Sequence, residues 1–243
     1  FNMAQNIAII EFTKESANIA IVNSSLRNSK LIDIYSVDRD PNEELHDFYA
    51  NIQQLLPNNT SSTVISLDGR KLSSRLLNFP FNDYRKIDAA LDFELEGLSP
   101  YSIEDLANSR IITRSKDDNS TELLTVVTPK QPLNEMIEQL GVTNIEPRAI
   151  VVPGAQMTEL LPDNESGYEA IISLGVSESQ LAISHNGQLQ FVRTLRVGGR
   201  DIERILINQF NLDSQQAEHV RKREIAIINS SDENLYNERD IKI

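Results

Sequence analysis

There is no cysteine and no tryptophan in the 243 residues. Without cysteine there is no disulfide framework, and the cytoplasm is the default compartment. Long apolar runs are missing as well. None approaches the roughly 20 residues that cross a bilayer, and none follows an N-terminal basic cluster as a signal peptide would. Basic charge is scarce: 23 Lys and Arg face 36 Asp and Glu, and the net charge of −13 argues against nucleic acid or an anionic membrane as primary partner. The three histidines, His46, His185 and His219, are scattered with no second ligand at metal spacing. No nucleophile elbow, Walker A loop or dinucleotide glycine fingerprint occurs. Glu94 and Glu96 point to opposite sides of a helix and form no acid–base pair. What remains is a chain of ordinary hydrophobic content, 40%, long enough to bury a core in one large domain or two or three small ones. Phe1-Asn2 ahead of Met3 reads as a remnant of cloning. The Asn-x-Ser/Thr triplets at Asn23 and Asn119 read as coincidence in a chain rich in Asn and Ser.

The stretch Ala170–Phe210 organises the chain. Apolar and polar residues alternate over 180–183 and 189–195, and Asn186-Gly187 between them predicts a tight hairpin turn. Gly198-Gly199 ends the second strand, and Ile202, Ile205, Leu206 and Phe210 follow at helical spacing. A double glycine opening a helix bares backbone N–H groups at the positive end of the helix dipole, which suits phosphate. A plain glycine turn between strand and helix is the simpler explanation of the pair at this point. Arg193, Arg196, Arg200, Arg204, Arg221, Lys222 and Arg223 make the one basic concentration of an acidic chain. They read either as a solvated helix face or as a site for an acidic segment or a nucleotide.

From the start, residues 7–10, 17–22 and 31–35 read as three strands, 45–56 as a helix stopped by Pro57-Asn58-Asn59, and 64–67 as a buried strand. A helix over 87–95, strands over 109–113 and 122–128, and a helix over 132–140 closed by Gly141 at its C-cap make a compact α+β insert. Residues 145–152 resume as a strand and 154–161 as a helix, and 162–167 form a linker. The fold class is mixed α/β. The expected organisation is a first unit of residues 3–84 with 145–161, an inserted α+β subdomain of 85–144, and a second unit of 168–243. Strand–strand–strand–helix occurs twice, and Ala149–Val152 should pair in the sheet of Ile7–Ile10, outside the insert.

Three stretches carry a resemblance to the PilM and FtsA branch of the actin-like ATPase superfamily. Leu91–Leu106 looks like that family's helix with a central glutamate followed by Pro-aromatic and acidic residues. Phe191-Val192-Arg193 through Gly198-Gly199 looks like its second phosphate hairpin. Ala217-Glu218-His219-Val220-Arg221-Lys222 resembles its Ala-Glu-x-x-Lys helix, with Arg221 at the lysine position. The resemblance implies an actin-like fold with an inserted subdomain and an incomplete second half. It also implies a vestigial phosphate site at Gly175, Ser179, Gly198 and Gly199.

The departures shape the functional expectation. Glu11-Phe12-Thr13-Lys14 stands where the family's first turn reads Asp-Ile-Gly-Ser, so a branched side chain sits at the closest approach to phosphate. Glu11 reads as a vestigial metal carboxylate or an ordinary turn residue. Ser173 replaces the Asp that holds metal-bound water, and Glu203 replaces a Thr beside the supposed phosphates. The chain also ends near Ile243, before the family's last α/β unit. Degenerate motifs of this kind resemble GspL, the actin-like cytoplasmic component of the type II secretion platform. The expectation is therefore a scaffold at the inner face of the inner membrane, with no enzymatic activity and no cofactor, ATP and magnesium being disfavoured. The expected partners are the N-terminal domain of the secretion ATPase and GspM- or PilN-like platform proteins, with a homodimer left open and no nucleic acid. The alternative is a PilM-like pilus assembly protein that binds ATP and a membrane partner's cytoplasmic peptide in a groove beside the insert. The insert should dock the partner through Leu98, Pro100, Tyr101 and Ile103, where a proline leaves backbone unpaired next to an aromatic anchor. Tyr101 packed inside the insert is the competing reading.

Overall fold

The computed structural model describes residues 5–13, 15–115, 119–161 and 167–223. The chain divides into two compact units, one of residues 1–171 with 181–194 and one of 172–180 with 195–243.

The first unit begins with a five-stranded mixed sheet. Strands β1 (Gln5–Phe12), β2 (Ser16–Ser24) and β3 (Ser29–Asp38) form an antiparallel meander. Strands β4 (Thr60–Ser66) and β8 (Pro147–Val151) extend it in parallel, giving the order β3-β2-β1-β4-β8. Ala149 pairs with Val64, so β8 joins the sheet of β1 and stays out of the insert, as the sequence requires. Alternation decides which face is covered: Ala8, Ile10, Phe12, Ala17, Ile19 and Ile21 are buried, while their neighbours are not. Helix α1 (Leu45–Leu55) lays Phe48, Tyr49 and Ile52 on this face, and Leu140 of α3 (Lys130–Val142) joins them.

The insert has its own core. Strands β5 (Ser73–Phe79), β6 (Leu106–Ser115) and β7 (Thr121–Pro129) form an antiparallel sheet in the order β5-β7-β6. Helix α2 (Tyr84–Leu98) covers one face with Ile87, Leu91 and Leu95, an i, i+4, i+8 stripe against Phe79, Leu123 and Val127. Asp83 caps the helix by accepting the Arg85 N–H at 2.9 Å. Leu124 and Val126 on the other face of β7 pack with Leu72, Val152, Ala155, Leu189 and Val192. The sheet therefore begins at Ser73, twelve residues ahead of the insert boundary read from sequence.

Two local expectations need correction. Helix α3 runs through Gly141 to Val142. Its C-cap is Thr143, whose hydroxyl donates to the Leu140 carbonyl at 2.9 Å, and the left-handed residue is Asn144, φ 60°. Asn tolerates that conformation, so no glycine is needed there. Residues 155–160 form a 3-10 stretch where an α-helix was expected, entered through Gly154 at φ 80°.

The third sheet, β9 (Tyr168–Leu174), β10 (Ser179–His185) and β11 (Gln188–Leu195), has the order β11-β10-β9. Its connections of four and two residues permit only antiparallel pairing. Asn186 and Gly187, φ 52° and 73°, supply the positive angles that the two-residue hairpin requires. In the second unit α4 (Gly199–Phe210) and α5 (Ser214–Arg223) pack Ile202, Leu206, Ala217 and Val220 together. Asp213 and Gln216 close the start of α5 reciprocally, each side chain accepting the other's backbone N–H at 2.8 and 3.0 Å.

Candidate functional site

The sequence places glycines and hydroxyls in two phosphate-type turns. In the β1–β2 turn the Thr13 hydroxyl accepts N–H bonds from Glu15 and Ser16 at 3.2 and 3.0 Å, and the Thr13 N–H donates to the Ser16 carbonyl at 2.9 Å. Each of these donors has a partner inside the turn. Thr13 is thus a structural closure of the hairpin, and Glu11 accepts from Asn18 Nδ2 at 3.1 Å across it.

The second unit repeats this at its double glycine. The Gly198 N–H donates to Asp201 Oδ2 at 2.9 Å, the Gly199 N–H to the Gly175 carbonyl at 2.9 Å, and the Arg200 N–H to the Val176 carbonyl at 2.9 Å. Ser179 is buried and its hydroxyl donates to the Val197 carbonyl at 2.6 Å. The glycines are explained by close approach of two backbones. A Cβ on Gly198 would lie 2.6 Å from Val176 O, and one on Gly175 would lie 2.4 Å from Glu178 O. Glu203 is not an isolated charge: Arg221 Nε donates to its Oε1 at 2.7 Å, with both side chains 21% exposed. The same guanidinium lies about as near to Gly199 as a side chain allows, so a Cβ there would meet it at 3.0 Å. Gly175, Ser179, Gly198 and Gly199 are therefore brought together, as a loop lock. Other cations of the basic concentration are also occupied: Arg204 pairs with Asp201 at 2.8 Å and Lys222 with Glu218 at 2.6 Å. Lys222 holds the Glu218 carboxyl below its ordinary value.

The expected docking residues are dispersed in character. Tyr101 is 50% exposed and Pro100 is exposed beside it, while Ile103 packs into the insert core with Ala90 and Ile112. The Leu98 side chain lies outside the described residues.

Among the described residues of the first unit two recesses stand out, and Pro100, Tyr101 and Ile103 line neither. One, about 260 Å³, is lined by Ile111 of β6, Leu124 and Val126 of β7, Ile150 of β8, and Leu189 and Val192 of β11. Strands β6 and β8 are the terminal strands of their sheets, so each has one backbone edge without a strand partner in its sheet. Ile111 remains 50% exposed at the groove. The other, about 240 Å³, is walled by Phe12, Arg39, Tyr49, Lys71, Leu133 and Met136, among others. At its edge Arg70 closes on Asp68 through two bonds of 2.8 and 2.7 Å. Burial alone would raise the Asp68 carboxyl, but the bonds and charge of Arg70, with Lys71 behind it, bring it below the usual carboxylate range. The alternative reading implies a groove beside the insert, but the sequence names the lining residues of neither recess, because they come from elements far apart in the chain.

Among the described residues no helix is long and apolar enough to cross a membrane, and no group of three His, Asp or Glu side chains is placed to hold a metal.

A search of curated proteins returns no match. Among solved structures, the fold is similar to that of a PilM–PilN type IV pilus biogenesis complex, at 16% identity and TM-score 0.72, over 88% of this chain and 68% of that one. It is also similar to the cytoplasmic domain of EpsL, an inner-membrane component of the type II secretion system of Vibrio cholerae. There the identity is 14% and the TM-score 0.54, over 86% of this chain and 78% of that one. A Bacteroides thetaiotaomicron protein with an actin-like ATPase fold matches at 12% identity and TM-score 0.50, over 86% and 79%. These identities speak to the fold, which is actin-like. The family model for type IV pilus assembly protein PilM matches residues 4–235, nearly the whole sequence, and the chain belongs to that family.

Proposed function

We propose that this chain is a docking scaffold in the inner-membrane assembly platform of a type IV pilus or type II secretion machine. It works at the cytoplasmic face and holds an extended segment of a platform protein in the groove between β6 and β8. The groove carries this reading. Two sheet-edge strands flank an apolar floor, and strand addition needs both features: backbone groups for affinity and pockets for alternate side chains. The similar PilM structure is of a complex with PilN, and a PilN- or GspM-like protein is the partner this role requires. The net charge of −13 favours a basic segment. The role is nucleotide-independent, supported by the two turns whose N–H donors are bonded within the chain.

The test is calorimetric titration with the cytoplasmic peptide of the cognate platform protein, and separately with ATP and magnesium. Ile111→Arg, which replaces a half-exposed side chain, should weaken the peptide at least ten-fold and leave folding intact. Unchanged affinity in folded Ile111→Arg would remove the groove from the interface, and micromolar ATP binding would remove the nucleotide-independent role. A GspL-like second reading, docking of the secretion ATPase N-terminal domain on the insert, is favoured by the exposed Pro100-Tyr101 turn. In that case Tyr101→Ala should weaken the ATPase domain and spare the peptide.

A further inference from the structure

The cavity of about 240 Å³ beside α1 and α3 has no part in the docking role, and its chemistry is specific. Tyr49 is the informative residue. Its ring stands edge-on to Phe12 at 5.1 Å and tilted against Phe48 at 6.2 Å, and only 6% of the residue is exposed. Its hydroxyl has no hydrogen-bond partner among the described residues, although a buried tyrosine hydroxyl ordinarily finds one. No sealed, unpartnered side-chain atom exists among the described residues, so this oxygen is not sealed, and Tyr49 lines the cavity. Burial pushes the phenol above its ordinary pKa while the Arg39 charge pulls it down. The phenol is therefore protonated at neutral pH and is a donor.

Two cationic donors, Arg39 and Lys71, reach the same cavity, beside the hydroxyls of Thr13 and Thr128 and the Gln139 amide. Arg39 is anchored by Nε and Nη2 on the Glu43 carbonyl at 3.2 and 2.8 Å, which leaves its remaining N–H groups uncommitted. Lys71 makes no ion pair within 4 Å among the described residues. Arg70, by contrast, is closed on Asp68. Facing these donors are apolar Phe12, Leu133 and Met136. A buried phenol and two cationic donors opposite an apolar wall suit a singly charged anionic head on an apolar body. Asp68 and Glu135 also line the cavity and disfavour a dianion such as phosphate. The volume lies below the roughly 300–1,000 Å³ of drug-sized sites, so the ligand is small.

We propose that this cavity binds a carboxylate carried on a short aliphatic body. The carboxylate meets the Tyr49 hydroxyl, Lys71 and Arg39, and the body lies on Phe12, Leu133 and Met136. Two sources share this chemistry: the C-terminal residue of a polypeptide with an apolar side chain, and a free short-chain fatty acid. N-acetyl-leucine and hexanoate represent them, with N-acetyl-leucinamide and hexanol as uncharged controls, each titrated onto the whole chain while the Met136 and Leu133 methyl signals are followed by NMR. A saturable shift at millimolar concentration with a carboxylate, and none with its neutral analogue, is the expected result. The tighter of the two acids identifies the source. Tyr49→Phe keeps the ring packing and Lys71→Met keeps the stem, and each should weaken binding about ten-fold or more. Neutral analogues that shift the methyls equally, no saturable shift with either acid, or unchanged affinity in both folded variants would overturn the proposal.

Discussion

Gly198→Ala separates two explanations of the double glycine, a phosphate cradle and a loop lock. A Cβ at this position falls 2.6 Å from Val176 O, 2.7 Å from Val176 C and 2.8 Å from Glu178 N. All three are backbone atoms, so no side chain can swing aside. Relief requires the 176–178 segment to move, which stretches the bonds from Arg200 N–H to Val176 and from Gly199 N–H to Gly175, both 2.9 Å now. Overpacking costs about 1–3 kcal/mol and each weakened bond about 1 kcal/mol, so the loss is about 3–5 kcal/mol. That is a large share of a typical domain stability of about 5–15 kcal/mol. In urea the midpoint should fall by about 1 M or more, and amide exchange at Gly199 and Arg200 should accelerate about 100-fold or more. Gly97→Ala and Gly141→Ala are the controls. Both sit in helices with no atom within 4 Å of the added methyl, and each should gain from a few tenths to about 1 kcal/mol. A Gly198→Ala protein with wild-type midpoint and protection would refute the loop-lock argument and restore the phosphate reading.

Three further outcomes are expected. Ile52→Ala removes a fully buried side chain from between α1 and the five-stranded sheet and should cost about 2–5 kcal/mol by chemical denaturation; a loss below about 1 kcal/mol contradicts that packing. The Arg39 N–H bonds back to Glu15 O at 2.7 Å, so residues 34, 36 and 38 of β3 turn their backbone groups outward, and Asp33 Oδ1 covers the Ile34 N–H at 2.9 Å. Asp33→Val uncovers this edge and should raise self-association in sedimentation velocity, and an unchanged sedimentation profile contradicts the protective role of Asp33. Asp68 is lowered in the folded state, so its stabilisation is present above the unfolded carboxylate pKa, about 3.9, and fades as pH falls through the lower folded value. Asp68→Asn should therefore lose stability at neutral pH and converge with wild type in strong acid, and a constant difference across that range refutes the assignment.

Much of the fold was legible because burial on one face writes itself into spacing. Ile7–Ile10 and Ala17–Val22 are short apolar runs, Asn186-Gly187 marks a hairpin turn, and Phe48, Ile52 and Leu55 recur at helical period. Strand β5 was not legible. In Ser73-Ser74-Arg75-Leu76-Leu77-Asn78-Phe79 two leucines are adjacent and two serines lead, so no period of two shows. Pairing with β7, whose own two faces are both covered, makes it a strand. The Thr143-Asn144 ending was hidden for a different reason, since Gly141 carries a stronger stop signal than either residue. The site divides similarly. The sequence displays Gly175, Gly198 and Gly199, but which acceptor each N–H meets is decided by loops that only folding brings together. Ile111, Leu124, Ile150 and Leu189 line one groove from four elements, and no local pattern links them.

The Glu203–Arg221 pair carries the argument furthest. Read alone, a glutamate after the double glycine repels phosphate. In the folded unit its charge is matched by Arg221 at 2.7 Å, and the guanidinium lies against Gly199. Repulsion is therefore the smaller obstacle. An anion seeking the Gly199 and Arg200 N–H groups must first release them from Gly175 and Val176, then draw Arg221 away from Glu203. Each release leaves a carbonyl or a carboxylate without its donor, at a cost of about 1–3 kcal/mol for a desolvated group. The groups that would repay this cost are the same ones that close the loop, so binding and loop closure compete for one set of donors. The bonds of this structure stand on the closed side of that competition. Gly198 is required there because the Val176–Glu178 backbone passes too close for a side chain, while at Gly199 the near neighbour is the Arg221 guanidinium.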